Sequence, residues 1–576
     1  MNAAPARCVC AKGSADHERT AQVEVGGEIL VDALRIHGVD TVFCVPGESY
    51  LAALDALYGA RAAIRLIVCR QDGGAAFMAE AYGKVTGQPG ICFVTRGPGA
   101  TNASIGVHAA HQDSTPMILF VGQVGSDFAE REAFQEVDFR RMFGQMTKWV
   151  AQIDRADRIP EYVSRAFHTA TAGRPGPVVL ALPEDMLAAS VQVADAGPYR
   201  VVEAHPAPAD MGRLRELLAG ARHPLLLLGG SVWDVAACAN MQRFAEANRL
   251  PVACAWRYQD LFDNAHPQYV GDVGLGINPK LAQRVKDADL LLVVGPRLGE
   301  MTTGGYTLLE VPRPRQRLVH VHAGAEELGR VYQADLPINA SMRAFAAAAA
   351  GLAPVESGAW HGALAQARQE YLDYNAKRAL PGELDLWEAM RVFRETVPAD
   401  TIIASGAGNF SAWAGRFYAY RSFRTQLATS SGAMGYGVPA GVAAKAARPE
   451  RTVVSFNGDG DFLMNGQELA TAVQHALPVV FLVFNNGLYG TIRMHQEREY
   501  PGRVWGTSLV NPDFAALARA YGAHGETVRR TAEFGPALER ALACGKPALL
   551  ELVYDPQIIT PNITLDAIRA QALGSR

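Results

Sequence analysis

Short apolar runs recur along this chain, separated by stretches long enough for one helix. From Val25 the pattern predicts a helix to His37, then strands at Thr41 to Val45, Arg65 to Cys69, Gly90 to Thr95, Pro116 to Val121 and Pro177 to Leu182, with helices such as the one from Tyr50 between them. Apart from Arg65 and the terminal Thr41 and Thr95, these strands are apolar and do not alternate, so they are expected to be buried on both faces, in a parallel sheet covered by helices. A second α/β unit is predicted from about Ala209 to Ala353, with strands at Leu225 to Leu228, Leu290 to Val294 and Leu318 to Val321. A polar helix, Trp360 to Ala379, leads to a third unit from about Glu383, whose strands are Thr401 to Ala404, Thr452 to Phe456 and Val479 to Phe484. Pro183 to Pro208 carries several prolines and few long apolar periods and reads as a linker. The expected fold is α/β, with three doubly wound parallel-sheet domains over residues 23–190, 205–355 and 375–560, behind a disordered leader, residues 1–22.

Composition narrows the partners. At 576 residues the chain is too long for one ordinary core, which agrees with several domains. Apolar residues make up 49% and the formal net charge is only −4, so neither sign of charge points to nucleic acid or an acidic membrane surface. The eight cysteines are scattered. Cys44, Cys69 and Cys92 fall inside strand-like runs and read as buried small hydrophobes. Cys8 and Cys10 lie in a polar, Ala-rich stretch without the apolar segment of a signal peptide. No apolar run reaches membrane-spanning length. A cytoplasmic protein is expected.

The chemistry concentrates where two predicted strands end. The strand to Phe456 runs into Gly458-Asp459-Gly460-Asp461, and the strand to Phe484 ends on Asn485-Asn486-Gly487. Asp459 and Asn486 are thereby placed at the carboxyl ends of strands of one parallel sheet, where such sheets bind ligands. A few hard oxygen ligands beside glycine amides suit Mg²⁺ holding a diphosphate. Asp459 and Asn486 are the candidate metal ligands.

This pair of motifs resembles the thiamine diphosphate signature, and the order of further motifs resembles the acetolactate synthase-like branch of those enzymes, which are 2-oxo acid decarboxylases and carboligases. The landmarks are Pro46-Gly47-Glu48, Arg70-Gln71-Asp72-Gly73-Gly74 leading to Met78-Ala79-Glu80-Ala81-Tyr82, Thr95-Arg96-Gly97-Pro98-Gly99-Ala100-Thr101-Asn102, Ala133-Phe134-Gln135-Glu136, Gly173-Arg174-Pro175-Gly176-Pro177 and Gly432-Ala433-Met434-Gly435. The likeness runs from about residue 25 to nearly the end. It implies thiamine diphosphate and Mg²⁺ as cofactors, a small 2-oxo acid as substrate, and a homodimer or homotetramer with the cofactor at a dimer interface. In such families the first domain grips the aminopyrimidine and the third the diphosphate, and the two come from different subunits.

Residue by residue, the resemblance puts the cofactor-activating carboxyl at Asp72, where the family has Glu. A general acid–base relay through that carboxyl and the aminopyrimidine deprotonates the thiazolium ring. An Asp withdraws the acid by about 1.5 Å, so the backbone must compensate or activation is altered. Read from its neighbours alone, Asp72 is also a candidate helix N-cap before Gly73-Gly74-Ala75, a role partly compatible with the catalytic one. Glu48 stands where related decarboxylases have a substrate-facing Asp, and is a candidate for passing a proton; its bland reading is a solvated turn residue. Gly432 and Met434 would hold the aminopyrimidine and prop the cofactor in its bent form. Gly408 and Asn409 match a loop near the diphosphate, the amides of Gly460 and Asp461 would meet phosphate oxygens, and the Leu488 carbonyl, beside Tyr489, would be a third metal ligand. Phe134 and Gln135 match a substrate-lining segment. His111, Gln112 and His495 are further pocket candidates, and Lys148 matches a basic family position that also reads as a surface charge.

Several features depart from an acetolactate synthase. The segment Leu488 to His495 lacks a Trp that helps choose the second 2-oxo acid, so the acceptor is open. Val319-His320-Val321-His322-Ala323-Gly324 lacks the two acids that flavin-carrying relatives have there, which argues against FAD, although Gly295-Pro296-Arg297 resembles part of that site. After Ile559 the chain is too short for the long lid of some relatives. Three readings follow: a carboligase acting on 2-oxo acids, a simple 2-oxo acid decarboxylase or hydroxyketone lyase, and a non-catalytic paralogue that keeps the cofactor site. A nicotinamide enzyme is disfavoured because no Gly-x-Gly-x-x-Gly follows Leu228-Gly229-Gly230.

Overall fold

The computed structural model describes residues 23–356 and 359–574. The expected leader, residues 1–22, therefore lies outside the described residues. The chain forms three six-stranded sheets, one per unit, in which every neighbouring pair of strands is parallel. The first sheet uses Thr41–Cys44, Arg65–Val68, Gly90–Val94, Met117–Gln123, Trp149–Gln152 and Pro177–Pro183. The third uses Ile402–Ser405, Gln426–Leu427, Val453–Gly458, Val480–Asn485, His524–Val528 and Ala548–Val553. Counted along the chain, both follow the order 2-1-3-4-6-5, so the two outer units share one topology. The central sheet, from Pro224–Leu228 to Leu336–Asn339, follows 3-2-1-4-5-6, the other common doubly wound order.

Two differences from the sequence reading stand out. The stretch expected as a linker opens with a helix, Glu184–Ala188, and a short strand, Ser190–Gln192, which pairs with Val23–Val25. The polar helix is shorter than expected, His361–Tyr374, because Trp360 folds into the central core and donates its indole N–H to the carbonyls of Asn248 and Arg249, both at 3.1 Å. Among the described residues no helix is long and apolar enough to cross a membrane, and the six described cysteines are all free.

The helix Asp72–Thr86 lies at the heart of the contact between the outer units. It packs on Gly97–Asp113 of its own unit and on Gly437–Ala447 of the third. Buried on both sides, it has almost no polar face, and its Ala and Gly residues let neighbouring backbones close in. At Gly106 a Cβ would stand 2.4 Å from the Ala76 Cβ. Beyond Asp72 at its start, this helix carries two charged side chains into the contact. Glu80 accepts hydrogen bonds from the Tyr436 hydroxyl at 2.6 Å and from Thr115 at 2.8 Å, and Lys84 lies 3.1 Å from the same carboxylate. Lys84 also pairs with Asp113 and donates to the Ala428 carbonyl at 2.8 Å, while Asp113 accepts from the Ser430 amide at 2.7 Å. This buried network ties residues 428–436, which include Gly432 and Met434, to the first unit.

Candidate functional site

In the third sheet the strand order reverses between Ile402–Ser405 and Val453–Gly458, which opens a crevice at their carboxyl ends. The turn Gly406 to Asn409 leaves the first strand and Asp459-Gly460-Asp461 follows the second. Asp461 ties the two together, since its Oδ1 accepts the amides of Ala407 at 3.1 Å and Gly435 at 2.9 Å. Gly406 has to be glycine here: a Cβ would come within 2.0 Å of the Asp461 carboxylate. Burial pushes the Asp461 carboxyl up to about 7, and its Oδ2 has no hydrogen-bond partner among the described residues.

Asp459 is held from three sides. Its Oδ1 accepts the Gly460 amide at 2.9 Å; its Oδ2 accepts the Gly487 amide and the Asn511 side chain, each at 2.8 Å. Burial raises its pKa while these donors pull it back. Asn511 also donates to Asn485 Oδ1 at 2.9 Å, and Asn485 in turn donates to Glu551 at 2.7 Å. This chain of side chains fixes the end of the Val480–Asn485 strand and so presents Asn486, whose Oδ1 accepts the Leu488 amide at 3.3 Å. Asn409 is tied to the next helix through Thr491, which donates to its Oδ1 at 3.0 Å.

One cavity of about 240 Å³ is lined by Gly408, Asn409, Gly432, Met434, Asp459, Gly460, Asp461, Asn486, Leu488 and Tyr489. These are all the residues expected to bind the cofactor, apart from Asp72. Tyr554 and Ile559 also line it, from beyond any motif. Among the described residues no group of three or more His, Cys, Asp or Glu side chains is placed to hold a metal. Asp459, beside the neutral oxygens of Asn486 and Leu488, forms a hard but under-charged set. Such a set fits Mg²⁺ that also takes oxygens from a diphosphate.

The first sheet repeats the arrangement. Its order reverses between Thr41–Cys44 and Gly90–Val94, and the segments beyond those strands carry Glu48 and Arg96. Glu48 is exposed, 3.5 Å from Arg96, which also pairs with Glu184. Asp72 lies nearby as the first residue of its helix. It is not the cap: Gln71 is, accepting the Gly74 amide at 2.9 Å. The Asp72 carboxyl is thus free of the capping role, and is buried beside Gly99, where a Cβ would come within 3.1 Å of its Oδ1. Asn102 donates to its Oδ2 at 3.2 Å, Oδ1 has no partner among the described residues, and burial raises its pKa. An unpaired buried carboxyl oxygen is a costly feature that calls for a ligand.

Gln135 sits with positive φ (65°), and its carbonyl accepts the Gly97 amide at 3.0 Å, at the same end of the Gly97–Asp113 helix as Asp72. Phe134 beside it is 71% exposed. His111 and Gln112 lie near the other end of that helix, about 18 Å from Gly99 at the rise of an α-helix. Their carbonyls accept from Arg174 and Arg297 at 2.7 and 3.3 Å, and neither residue lines the cavity. His495 is exposed and bonds to Arg498, and Lys148 is an exposed side chain that donates to the Ala172 carbonyl at 2.5 Å. Neither lines the cavity. In the central unit Glu327 is shared by Arg174 at 2.6 Å, Arg330 at 2.9 Å and Arg297 at 3.3 Å.

Removing Asn511 should loosen Asp459 without touching the cavity wall. Outer-shell partners of metal ligands typically contribute about 10–100-fold in metal affinity. Asn511→Ala is expected to weaken Mg²⁺ binding by that factor when titrated calorimetrically with thiamine diphosphate present; unchanged affinity would show that the backbone alone orients Asp459.

The comparisons with known proteins agree with this geometry. Three family models match in the order of the three units: the N-terminal TPP binding domain of thiamine pyrophosphate enzymes over residues 24–142, the central domain over 211–349 and the C-terminal TPP binding domain over 406–552. The chain is 32% identical over 536 residues to the acetolactate synthase isozyme 2 large subunit of Escherichia coli, covering 92% of this chain and 95% of that protein. It is 31% identical over 565 residues to a probable acetolactate synthase large subunit of Methanocaldococcus jannaschii, covering 93% of each. With the acetolactate synthase large subunit of Corynebacterium glutamicum the identity is 30% over 577 residues, 96% of this chain and 91% of the relative. The chain therefore belongs to the thiamine pyrophosphate enzymes, as an acetolactate synthase-like, thiamine diphosphate-dependent enzyme of the carboligase type.

Proposed function

We propose that the enzyme takes a 2-oxo acid, releases its carboxylate as CO₂ and joins the remaining acyl unit to a second 2-oxo acid, with Mg²⁺ anchoring the cofactor. The observation that carries this reading is the single cavity shared by Asp459, Asn486, Leu488, Gly432 and Met434, set against an unpaired Asp72 oxygen. Bound there, thiamine diphosphate would supply the acidic carbon that adds to the ketone and the electron sink that lets CO₂ leave. Asp459, Asn486 and the Leu488 carbonyl would hold the metal; Gly408, Asn409, Gly460, Asp461 and Tyr489 would enclose the diphosphate; Gly432 and Met434 would seat the aminopyrimidine. Asp72, in surroundings that favour its protonated form, would hold a proton at Oδ1 for the ring nitrogen. Glu48, Phe134 and Gln135 are the residues we assign to substrate, with Glu48 placed to move a proton.

Asp72 does not line the cavity of its own chain, so we infer that a second copy supplies it and that a homodimer, alone or within a tetramer, is the active unit. Exposed apolar side chains support this: Ile492, which lines the cavity, is 55% exposed, and Leu463 and Met464 on the helix after Asp459 are each 46% exposed. We assign no part to FAD, because the acid at that edge of the central sheet, Glu327, is already held by three arginines.

The reading is tested by supplying [2-¹³C]pyruvate, with and without 2-oxobutyrate, and identifying products by NMR. A branched acetohydroxy acid is the expected product. Acetaldehyde alone would replace the carboligase reading with a decarboxylase in which Glu48 delivers the proton, and no CO₂ from any 2-oxo acid would overturn both.

A further inference from the structure

Asp72 follows an edge strand, Arg65–Val68, that is short and half-buried, a weak foundation for an acid that must be placed accurately. Its backbone is held from the other unit. The helix Glu468–Gln474 lies against the end of this strand, and its first residue reaches across: Glu468 Oε1 accepts the amides of Arg70 and Gln71, both at 3.0 Å, and Oε2 accepts Arg70 again at 3.2 Å. At the far end of the helix, His475 Nε2 accepts the Val68 amide at 3.2 Å, and Gln474 Oε1 accepts from the Arg70 side chain at 2.5 Å. Glu468 is fully buried, and Thr471 donates to its Oε2 at 2.6 Å. Gly74 leaves room for it, since a Cβ there would stand 2.6 Å from Oε1.

We propose that Glu468 is a positioning residue for Asp72: by clamping the two amides that immediately precede it, the carboxylate sets where the Asp72 acid stands. The inference rests on the cofactor-activating role given to Asp72 above. The clamp acts from the chain side, with Gln71 capping the helix on the other, so the backbone on both flanks of Asp72 is fixed by side-chain acceptors. It is also the compensation that a shortened acid requires. With Asp in place of Glu the side chain has one bond fewer with which to adapt, so the backbone must carry the accuracy. Charge-assisted bonds from a buried carboxylate to backbone amides are among the stiffer ties available. Glu468 touches neither the cavity nor Asp72 itself, and its effect runs through the backbone.

The test compares Glu468→Ala, Glu468→Gln and wild type in deuterium exchange of the thiazolium C2 proton of bound thiamine diphosphate, read by acid quench and NMR, beside cofactor Kd and steady-state kcat and KM. A displacement of about 1 Å costs on the order of 10²-fold in rate. Glu468→Ala should therefore slow C2 exchange and kcat by about that factor, with Kd and KM little changed, because the diphosphate cradle is untouched. Glu468→Gln, which keeps a carbonyl oxygen to accept both amides, should recover most of the rate. Exchange at the wild-type rate in Glu468→Ala would overturn the proposal, as would equal losses in exchange rate and cofactor affinity. If Glu468→Ala does not fold, Thr471→Val decides: it frees the carboxylate to turn and should slow exchange in the same way, and a wild-type rate there overturns the proposal. Wild type that binds no thiamine diphosphate, or binds it without C2 exchange, would instead sink the proposed function.

Discussion

Asp72→Asn is expected to lower CO₂ release from a 2-oxo acid by on the order of 10²–10⁴-fold, the usual contribution of a positioned general acid–base group. The substitution keeps shape and leaves an oxygen to accept from Asn102, but it removes the carboxyl that can exchange a proton. Binding of cofactor and metal should survive, because their cradle is built from the third unit, so the loss belongs in kcat. Stability moves the other way. Burial raises the Asp72 pKa above its unfolded value, so the folded state binds that proton more tightly than the unfolded one. The stability this provides is present below about pH 3.8 and is lost as pH rises through the folded pKa. At pH 7 the carboxylate therefore costs stability that an amide does not. Asp72→Asn should unfold at no lower urea concentration than wild type at pH 7, with the difference shrinking toward pH 4. Activity within a few-fold of wild type would remove Asp72 from the chemistry.

Lys84→Met should cost about 3–5 kcal/mol, the range for removing one partner of a buried ion pair. Lys84 stands between Glu80 and Asp113, which are 0% and 3% exposed, and is the cation paired with both. Tyr436, Thr115 and Ser430 would still donate to the two carboxylates, but neutral donors do not compensate two buried negative charges. Against a total stability of about 5–15 kcal/mol, the first unfolding transition in urea should shift clearly to lower concentration. The double variant Glu80→Gln/Lys84→Met should recover part of the loss, since it removes one stranded charge. A Lys84→Met protein that unfolds with wild type would show that the network is solvated in solution. Because the network fastens residues 428–436, the variant should also bind thiamine diphosphate more weakly before it unfolds.

The strands read from the sequence are, with the exception of Arg65–Val68, interior ones, where burial on both faces forces a continuous apolar run. Most of those missed lie at sheet edges: Trp149–Gln152, Tyr269–Val273, Leu336–Asn339, Gln426–Leu427 and His524–Val528. An edge strand has one neighbour and partial solvent contact, so polar residues interrupt its pattern. Ala548–Val553 escaped for another reason. Its Glu551 breaks the apolar run, yet is buried because Asn485 and Thr527 satisfy it. Ten of the cavity residues were legible because they belong to motifs near strand ends, where topology brings distant segments together. Asn511 and Tyr554 were not, since a lone polar or aromatic residue in a loop carries no spacing signal. Glu468 belongs to none of the motifs, and only the packing of one unit on another shows what its carboxylate holds. His111 and Gln112, named as further pocket candidates, do not line the cavity; they lie near the opposite end of the Gly97–Asp113 helix from Gly99.

The deciding measurement is 2-oxo acid turnover by protein stripped of cofactor and metal, then reconstituted with thiamine diphosphate and Mg²⁺ separately and together, CO₂ and products being followed at each step. Negligible release from the stripped protein, recovery only when both are present, and an acetohydroxy acid among the products are expected. Turnover that persists in the stripped protein, or its absence in fully reconstituted protein with every 2-oxo acid offered, would contradict the proposed function.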